Sequence, residues 1–383
     1  MERAAARAGR AVSASLAPAG SRPAPAAPGR GPFAWARRRL FASAGSSLVT
    51  VVLGALAAWA AWRFVEWAWV HAVFAVPGTG ASADTAACRA VEGTGACWAV
   101  LPEKLRFILF GRFPWDEQWR PAVVVAGFVA LFAATTVRAL WGTRLVALWC
   151  AAPVVLVGLM HGGVAGLPTV PTDVWGGLPV TLILATFGLA AAFPLAIAIA
   201  LVRRAKRLVL MRALCRAYVE SVRALPIVSV LFMASVMVPL LLPEGLNVDK
   251  LLRAQLAFTL FAAAYLSESI RGALQAIPAG QHEAAEALGL SYARRTLTVI
   301  LPQALRIALP SLVNTFLGIF KDTSLVLVIG ILDLMTAGQN AVLEPAWQGF
   351  STEVYLFVGA VYFAFCAGIA RFGRRLEAAG EAR

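Results

Sequence analysis

Histidine is nearly missing from this chain: His71, His161 and His282 are the only three, and they are scattered. No Cys or His group has metal-ligand spacing, so no metal centre is expected. The phosphate-binding pattern G-x-x-x-x-G-K-[ST] does not occur, which argues against ATP hydrolysis by this chain. Charge is scarce as well. Asp, Glu, Lys and Arg make up 14% of the 383 residues, against about a quarter in a soluble globular chain. The acids are the scarcer sign, 20 against 34 Lys and Arg, for a formal net charge of +14. The alternating pattern of a transmembrane barrel is absent. What abounds is apolar: 60% of the residues are hydrophobic, and several windows exceed the roughly 20 apolar residues that cross a bilayer as a helix. Lipid offers the backbone no hydrogen-bond partners, so such spans must be helices. The composition predicts an all-α, polytopic helical membrane protein.

The positive surplus invites a nucleic-acid reading, but its placement argues against one. Basic residues cluster in the N-terminal tail and in short loops beside the spans, as positive-inside topology requires. Residues 1–40 form a basic tail, rich in Ala, Arg, Pro, Gly and Ser with Glu2 as its one acid, that cannot bury a core and is expected to be disordered. It lacks the apolar run of a signal peptide, although an organellar transit peptide has a similar composition. Arg37, Arg38 and Arg39 precede the first span and place that end in the cytoplasm.

About eight spans are expected, near 45–70, 121–141, 145–166, 177–202, 222–242, 254–276, 306–333 and 353–371. The loops on the N-terminal side then hold Arg144, the run Arg203, Arg204, Lys206, Arg207, Arg212 and Arg216, and Arg294, Arg295 and Arg306. The C-terminal tail, 376–383, joins that side, next to Arg371, Arg374 and Arg375. The opposite loops are mixed or acidic, with Asp84, Glu92, Asp116, Glu117, Asp173, Glu244, Asp249 and Glu344. The longest of these, about 76–118, contains Cys88 and Cys97. Two cysteines facing an oxidising compartment favour a disulfide; the alternative is two free thiols. Up to about residue 170 the chain is spans and a loop with little recognisable chemistry, and motif-like polar residues appear after it.

The segment "EAAEALGLSYARRTLTVILP", Glu283 to Pro302, lies between two spans yet reads like a soluble surface. Its pattern predicts one short helix ending at Gly289, a second over Leu290–Leu301, and a change of direction at Pro302. Such a pair suits docking into a groove of another protein, or it lies on the lipid headgroups; pattern alone leaves both open.

At these residues the chain resembles the inner-membrane permeases of bacterial ABC importers. Their cytoplasmic signature is E-A-A, three residues, G, nine residues, I-x-L-P; here Glu283, Ala284, Ala285, Gly289, Leu301 and Pro302 match and Val299 replaces the isoleucine. "WGGLPVTLILATFGLAAAFPLAIAIALVRR", "YVESVRALPIVSVLFMASVMVPLLLP", "AAYLSESIRGALQAIPAGQHEAAEALGL" and "FKDTSLVLVIG" resemble the polar amino-acid branch, and "GACWAVLPEKLRFILFGRFPW" extends the likeness to the longer permease of a general L-amino-acid importer. The resemblance covers about 40–375. Ala224 stands where the family often has glycine.

The resemblance implies a type I importer permease fold over 171–375, preceded by a transmembrane region over 41–170, in a multi-pass protein of the bacterial inner membrane with both termini cytoplasmic. It implies that 283–302 docks on a dimer of ATPase subunits, which use the ATP, while this chain binds no cofactor. The other implied partners are a second related permease, a periplasmic amino-acid-binding protein and membrane lipid. A permease for another small polar solute and a stand-alone secondary transporter are the alternatives.

Charged residues inside spans are expensive and call for a function. Glu268 can pair with Arg271 one turn on, as a packing brace or as a contact for substrate. Lys321, Asp322 and Thr323 read as a helix restart with Asp322 or Thr323 as cap, whose positive end could face a substrate carboxylate. The other reading is a plain cap with Lys321 snorkelling to an interface.

Overall fold

The computed structural model describes residues 32–78, 84–89, 95–164, 166–205, 207–246 and 248–381. The expected tail up to residue 31, Glu92 and Lys206 lie outside the described residues. The chain divides into one unit ending at His71 and another beginning at Ala72.

In the first unit, α1 (Pro32–Arg39) ends on three arginines. This corrects the expectation of a structureless tail to residue 40: proline suits a first helical turn, and Arg37–Arg39 suit the negative end of the helix dipole. α2 (Ala44–Val65) opens with a capping box, in which the Ser46 N–H donates to Ser43 Oγ at 3.2 Å and the Ser43 N–H to Ser46 Oγ at 2.9 Å. A wide turn over Glu66–Val70 extends it. None of its residues is buried, and it is apolar on every side, with Trp59 and Trp62 outward. A helix of that kind belongs in lipid.

The second unit contains α3 (Val100–Phe110), α4 (Trp119–Thr136), α5 (Thr143–His161), α6 (Leu178–Arg204), α7 (Val209–Ala224), α8 (Ile227–Leu241), α9 (Lys250–Ala276), α10 (Ala279–Ala287), α11 (Tyr292–Ile329), α12 (Leu334–Ala341) and α13 (Ser351–Glu381). No named strand occurs among the described residues. α6 and α9 form the centre. Ala192, Ala196 and Ala200 on α6 and Ala254, Ala257 and Ala262–Ala264 on α9 are buried, and small residues let helix backbones approach closely.

Six helices are long and apolar enough to cross a membrane, seven if α7 and α8 form one bent span. By length and composition the expected count of eight is therefore not confirmed. The shortfall is α9, whose 27 residues suffice in length but carry Lys250, Arg253, Glu268 and Arg271. Its polar groups meet protein instead of lipid: Arg253 donates to the Ser235 carbonyl at 2.7 Å and Gln255 to that of Leu184 at 3.3 Å. The expected fifth span begins earlier and bends by 108° between α7 and α8. The bend falls at Leu225, which is extended (φ −98°, ψ 140°) because Pro226 follows it.

One polar fixture and one close backbone approach hold the first part of this unit. Arg120 has no exposed surface and donates to the carbonyls of Leu159 (2.8 Å), Met160 (3.1 Å) and Pro168 (3.0 Å). Leu159 and Met160 lie in the last turn of α5, where carbonyls lack helical partners and the dipole is negative. At Gly177 (φ +69°) a Cβ would come within 2.2 Å of the Leu109 carbonyl oxygen, so only glycine lets α6 start against the end of α3.

Candidate functional site

The segment that follows α9 is two helices, but with other boundaries than expected. α10 begins at Ala279 instead of Glu283, and its C-terminus is a Schellman motif. The Leu290 N–H donates to the Ala285 carbonyl (3.2 Å) and the Gly289 N–H to that of Glu286 (2.9 Å), with Gly289 at φ +73°. Leu290 is left outside both helices, so the second helix does not begin at Leu290 as expected. Ser291 caps α11, which runs on through Pro302 as one 38-residue helix. Pro302 thus does not redirect the chain, which corrects the sequence reading. A wide turn with i→i+5 bonds over Arg295–Ile300 comes just before it. In a regular turn the proline ring would clash with the Thr298 carbonyl, and the wider turn relieves this.

The signature residues separate by exposure. Ala285 is buried against its own chain and anchors α10, whereas Glu283, Ala284 and Gly289 are exposed. Leu301 is half-buried, and Pro302 is exposed. Leu288 (80% exposed), Tyr292 and Leu297 add an uncovered apolar tip. Arg295 pairs with Glu286 at 2.7 Å across the turn, and Gln303 donates to Gln281 at 3.1 Å. His282 lies beneath: burial first, then the charges of Arg204 and Arg295, hold its imidazole below its ordinary pKa. Its Nε2 is buried without a partner.

About two turns before the end of α9, Glu268 receives Arg271, as the i, i+3 spacing allows, and also Arg203 of α6 at 2.7 Å. Arg203 is the member that the sequence does not reveal, since there it reads only as part of a basic loop run. With two guanidinium groups on it, Glu268 braces α6 against α9.

Lys321, Asp322 and Thr323 do not restart a helix. α11 tightens into a 3-10 turn over Thr323–Ile329, and the Asp322 side chain caps nothing. Lys321 is exposed, and Thr323 is buried and bonds back to the Phe320 carbonyl at 2.8 Å. The cap that sequence reasoning sought at Asp322 belongs to Asp333. Its buried carboxylate accepts from the N–H groups of Met335 (3.1 Å) and Thr336 (3.0 Å), the Thr336 hydroxyl (2.5 Å) and Tyr362 (3.2 Å). An Asp directly before the helical run Leu334–Ala341 was the available signal.

Cys88 and Cys97 are joined in a disulfide, with Cα atoms 5.5 Å apart. Arg89 beside it donates to the carbonyls of Pro345, Ala346 and Gln348 at 3.0–3.1 Å and lies over Phe350. The Cys97 N–H donates to the buried carboxylate of Glu353 at 2.8 Å, and Lys104 pairs with Glu344 at 2.6 Å. The loop is thus fastened to the start of α13. Nearby, a cleft of about 360 Å³ opens between Arg112, Asp173, Asp249, Lys250 and Asn340. No cluster of metal-ligating residues occurs among the described residues.

Residues 192–379, from mid-α6 almost to the end of α13, match the family described as binding-protein-dependent transport system inner membrane component. The inner membrane amino-acid ABC transporter permease protein YhdY of Escherichia coli is 40% identical over 90% of this chain and 91% of its own length. The glutamate/glutamine/aspartate/asparagine transport system permease protein BztC of Rhodobacter capsulatus is 34% identical over 93% of this chain and 95% of its own. A solved amino acid ABC transporter is 27% identical, covering 52% of this chain and 91% of that one, with a TM-score of 0.47. Relatives of that identity along nearly the whole length show that the chain belongs to the family of binding-protein-dependent transport system inner membrane components, the permeases of ABC transporters.

Proposed function

We propose that this chain is the permease subunit of an ATP-driven importer of amino acids, paired with a second related permease, two ATPase subunits and a periplasmic binding protein. Both termini lie in the cytoplasm in this reading, on the side of α10. ATP is bound and hydrolysed by the ATPase partner. The names of the whole-length relatives support amino acids as cargo.

The observation that carries the reading is the form of the α10–α11 turn. It is a short helix closed by Gly289, braced by Glu286–Arg295, with Leu288 and Tyr292 uncovered at its tip. A rigid projection with an apolar end suits a groove on another protein. The charge bias of the loops supports the orientation.

The test replaces Gly289 with valine. Open space surrounds the site, so the cost is the strained positive φ, about 1–2 kcal/mol, and it falls on the turn alone. The variant should reach the membrane in normal amount, lose ATPase co-purification and lose uptake of labelled amino acids. Arg294→Ala, exposed beside it, serves as the control. Normal ATPase association and uptake in Gly289→Val would show that α10 is not the coupling element. Uptake of other polar solutes but no amino acid, across a labelled panel, would reassign the cargo.

A further inference from the structure

We infer that one face of α11 lines the water-filled path of the transported solute and that Asn314 is its hydrogen-bonding contact at mid-depth. The inference rests on the amino-acid permease reading above.

Gln303, Pro310, Asn314 and Lys321 lie at offsets of 0, 7, 11 and 18 residues, so they share one side of the helix. Eighteen residues rise about 27 Å, close to the roughly 30 Å of a bilayer's hydrocarbon core. Pro310, Asn314 and Lys321 are exposed, with Ser311 exposed beside them; the exposed Ile307 and the half-buried Leu317 are the apolar residues flanking that line. The opposite side carries Ala304, Ala308, Leu312 and Ile319, all buried. The helix is therefore sorted in the inverse sense to a lipid-facing one. α5, by contrast, exposes Val146, Val154 and Val155.

An amide and an ammonium bare to hydrocarbon are expensive. Neither the Asn314 amide nor the Lys321 ammonium makes a hydrogen bond or ion pair within the chain, among the described residues. Their neighbours suit a small zwitterion better than a packed helix. Pro310 has no N–H, so the Arg306 carbonyl lacks its usual donor four residues on and can accept from an ammonium group. Gly318, four residues beyond Asn314, leaves the surface around the amide open. Lys321, about 10 Å further along the axis, meets a solute's carboxylate at a separate point of the path and not while the same molecule is held at Asn314. The Ser269–Ser311 hydroxyl pair, 2.8 Å apart, continues the polar surface onto α9.

The experiment uses whole cells expressing the chain with its transport partners. The free cysteines Cys150, Cys215 and Cys366 are replaced by alanine and the Cys88–Cys97 disulfide is kept. Asn314→Cys and Lys321→Cys are exposed to a charged, membrane-impermeant thiol reagent, with and without a mixture of the standard L-amino acids. Val155→Cys is the lipid-facing control. Both path positions should be labelled, the amino acids should slow labelling of Asn314→Cys, and the control should stay unlabelled. Asn314→Leu, at normal abundance, should lower uptake about tenfold or more, the size of one hydrogen bond lost in an enclosed site. If neither path position is labelled while cells with the cysteine-depleted parent still take up amino acids, the face is not in the path, although the permease reading survives. Labelling without amino-acid protection overturns Asn314 as the contact, as does cross-linking of Asn314→Cys to the second permease in place of labelling. Chain-independent uptake in the parent cells would instead remove the reading on which the inference stands.

Discussion

His282 shows how one side chain reports on its surroundings. It sits on α10 with a buried, unpartnered Nε2 and faces Arg204 and Arg295, so the native segment favours its neutral form. When the segment opens, the imidazole regains its ordinary pKa near 6.5. The sign follows: above that value both states are neutral and closure is unaffected. As pH falls through it, the open form binds a proton that the closed form resists, and closure weakens. Amide exchange over 279–290, corrected for intrinsic rates, should therefore lose protection between about pH 7.5 and pH 5.5. His282→Gln should abolish the difference. Equal protection at both pH values in the unmodified chain would show that the histidine is not linked to closure. None of this was legible in the sequence, since a lone histidine carries no sign of the two arginines that the fold brings to it. Arg120 was missed for the same reason, because the carbonyls it holds lie about 40 residues away.

At the scale of elements, α10 separates two alanines that sequence alone treated alike. Ala285 is 3% exposed and Ala284 faces outward. Ala285→Trp should overpack the anchor, at about 1–3 kcal/mol, and lower the amount of folded permease. Ala284→Trp should leave the amount unchanged and impair ATPase co-purification. The reverse pattern would mean that α10 docks by its other side. The helix-ending glycine and most of the span positions were readable because they depend on local rules, backbone geometry and length of apolar run. The merging of the second short helix with a span was not. Proline predicts a break from local sterics, and the wide turn that absorbs Pro302 has no pattern of its own. The bend at Leu225–Pro226 was overlooked although its local signal was present. The shortfall at α9 reflects a different limit, since hydropathy cannot tell a helix sheltered by protein from one left in water.

For the second unit as a whole, the disulfide loop ties residues near 90 to residues near 350. Cys88 and Cys97 constrain a short loop, worth about 2–3 kcal/mol by loop-closure entropy. The Arg89 and Glu353 contacts depend on the loop keeping its shape. Replacing both cysteines with serine should lower thermal stability and expose 84–89 to limited proteolysis. Reductant should do the same to the unmodified protein and add nothing to the double variant. Unchanged cleavage and stability would mean that the side-chain contacts hold the loop unaided. The two cysteines stood out in the sequence; the surface they are fastened to did not.

The unbroken course of α11 has a mechanical consequence. From Tyr292 to Ile329 it is a rod of 38 residues, about 57 Å at 1.5 Å per residue, with one end at the α10 turn. A rod transmits angle: pivoted near one end, a tilt of about 5° sweeps the other through about 5 Å, nearly a full helical turn. With docking at α10 as proposed, push and displacement would belong to one lever, and its two soft points, the wide turn before Pro302 and the kink-prone Pro310, would set how much of the stroke arrives.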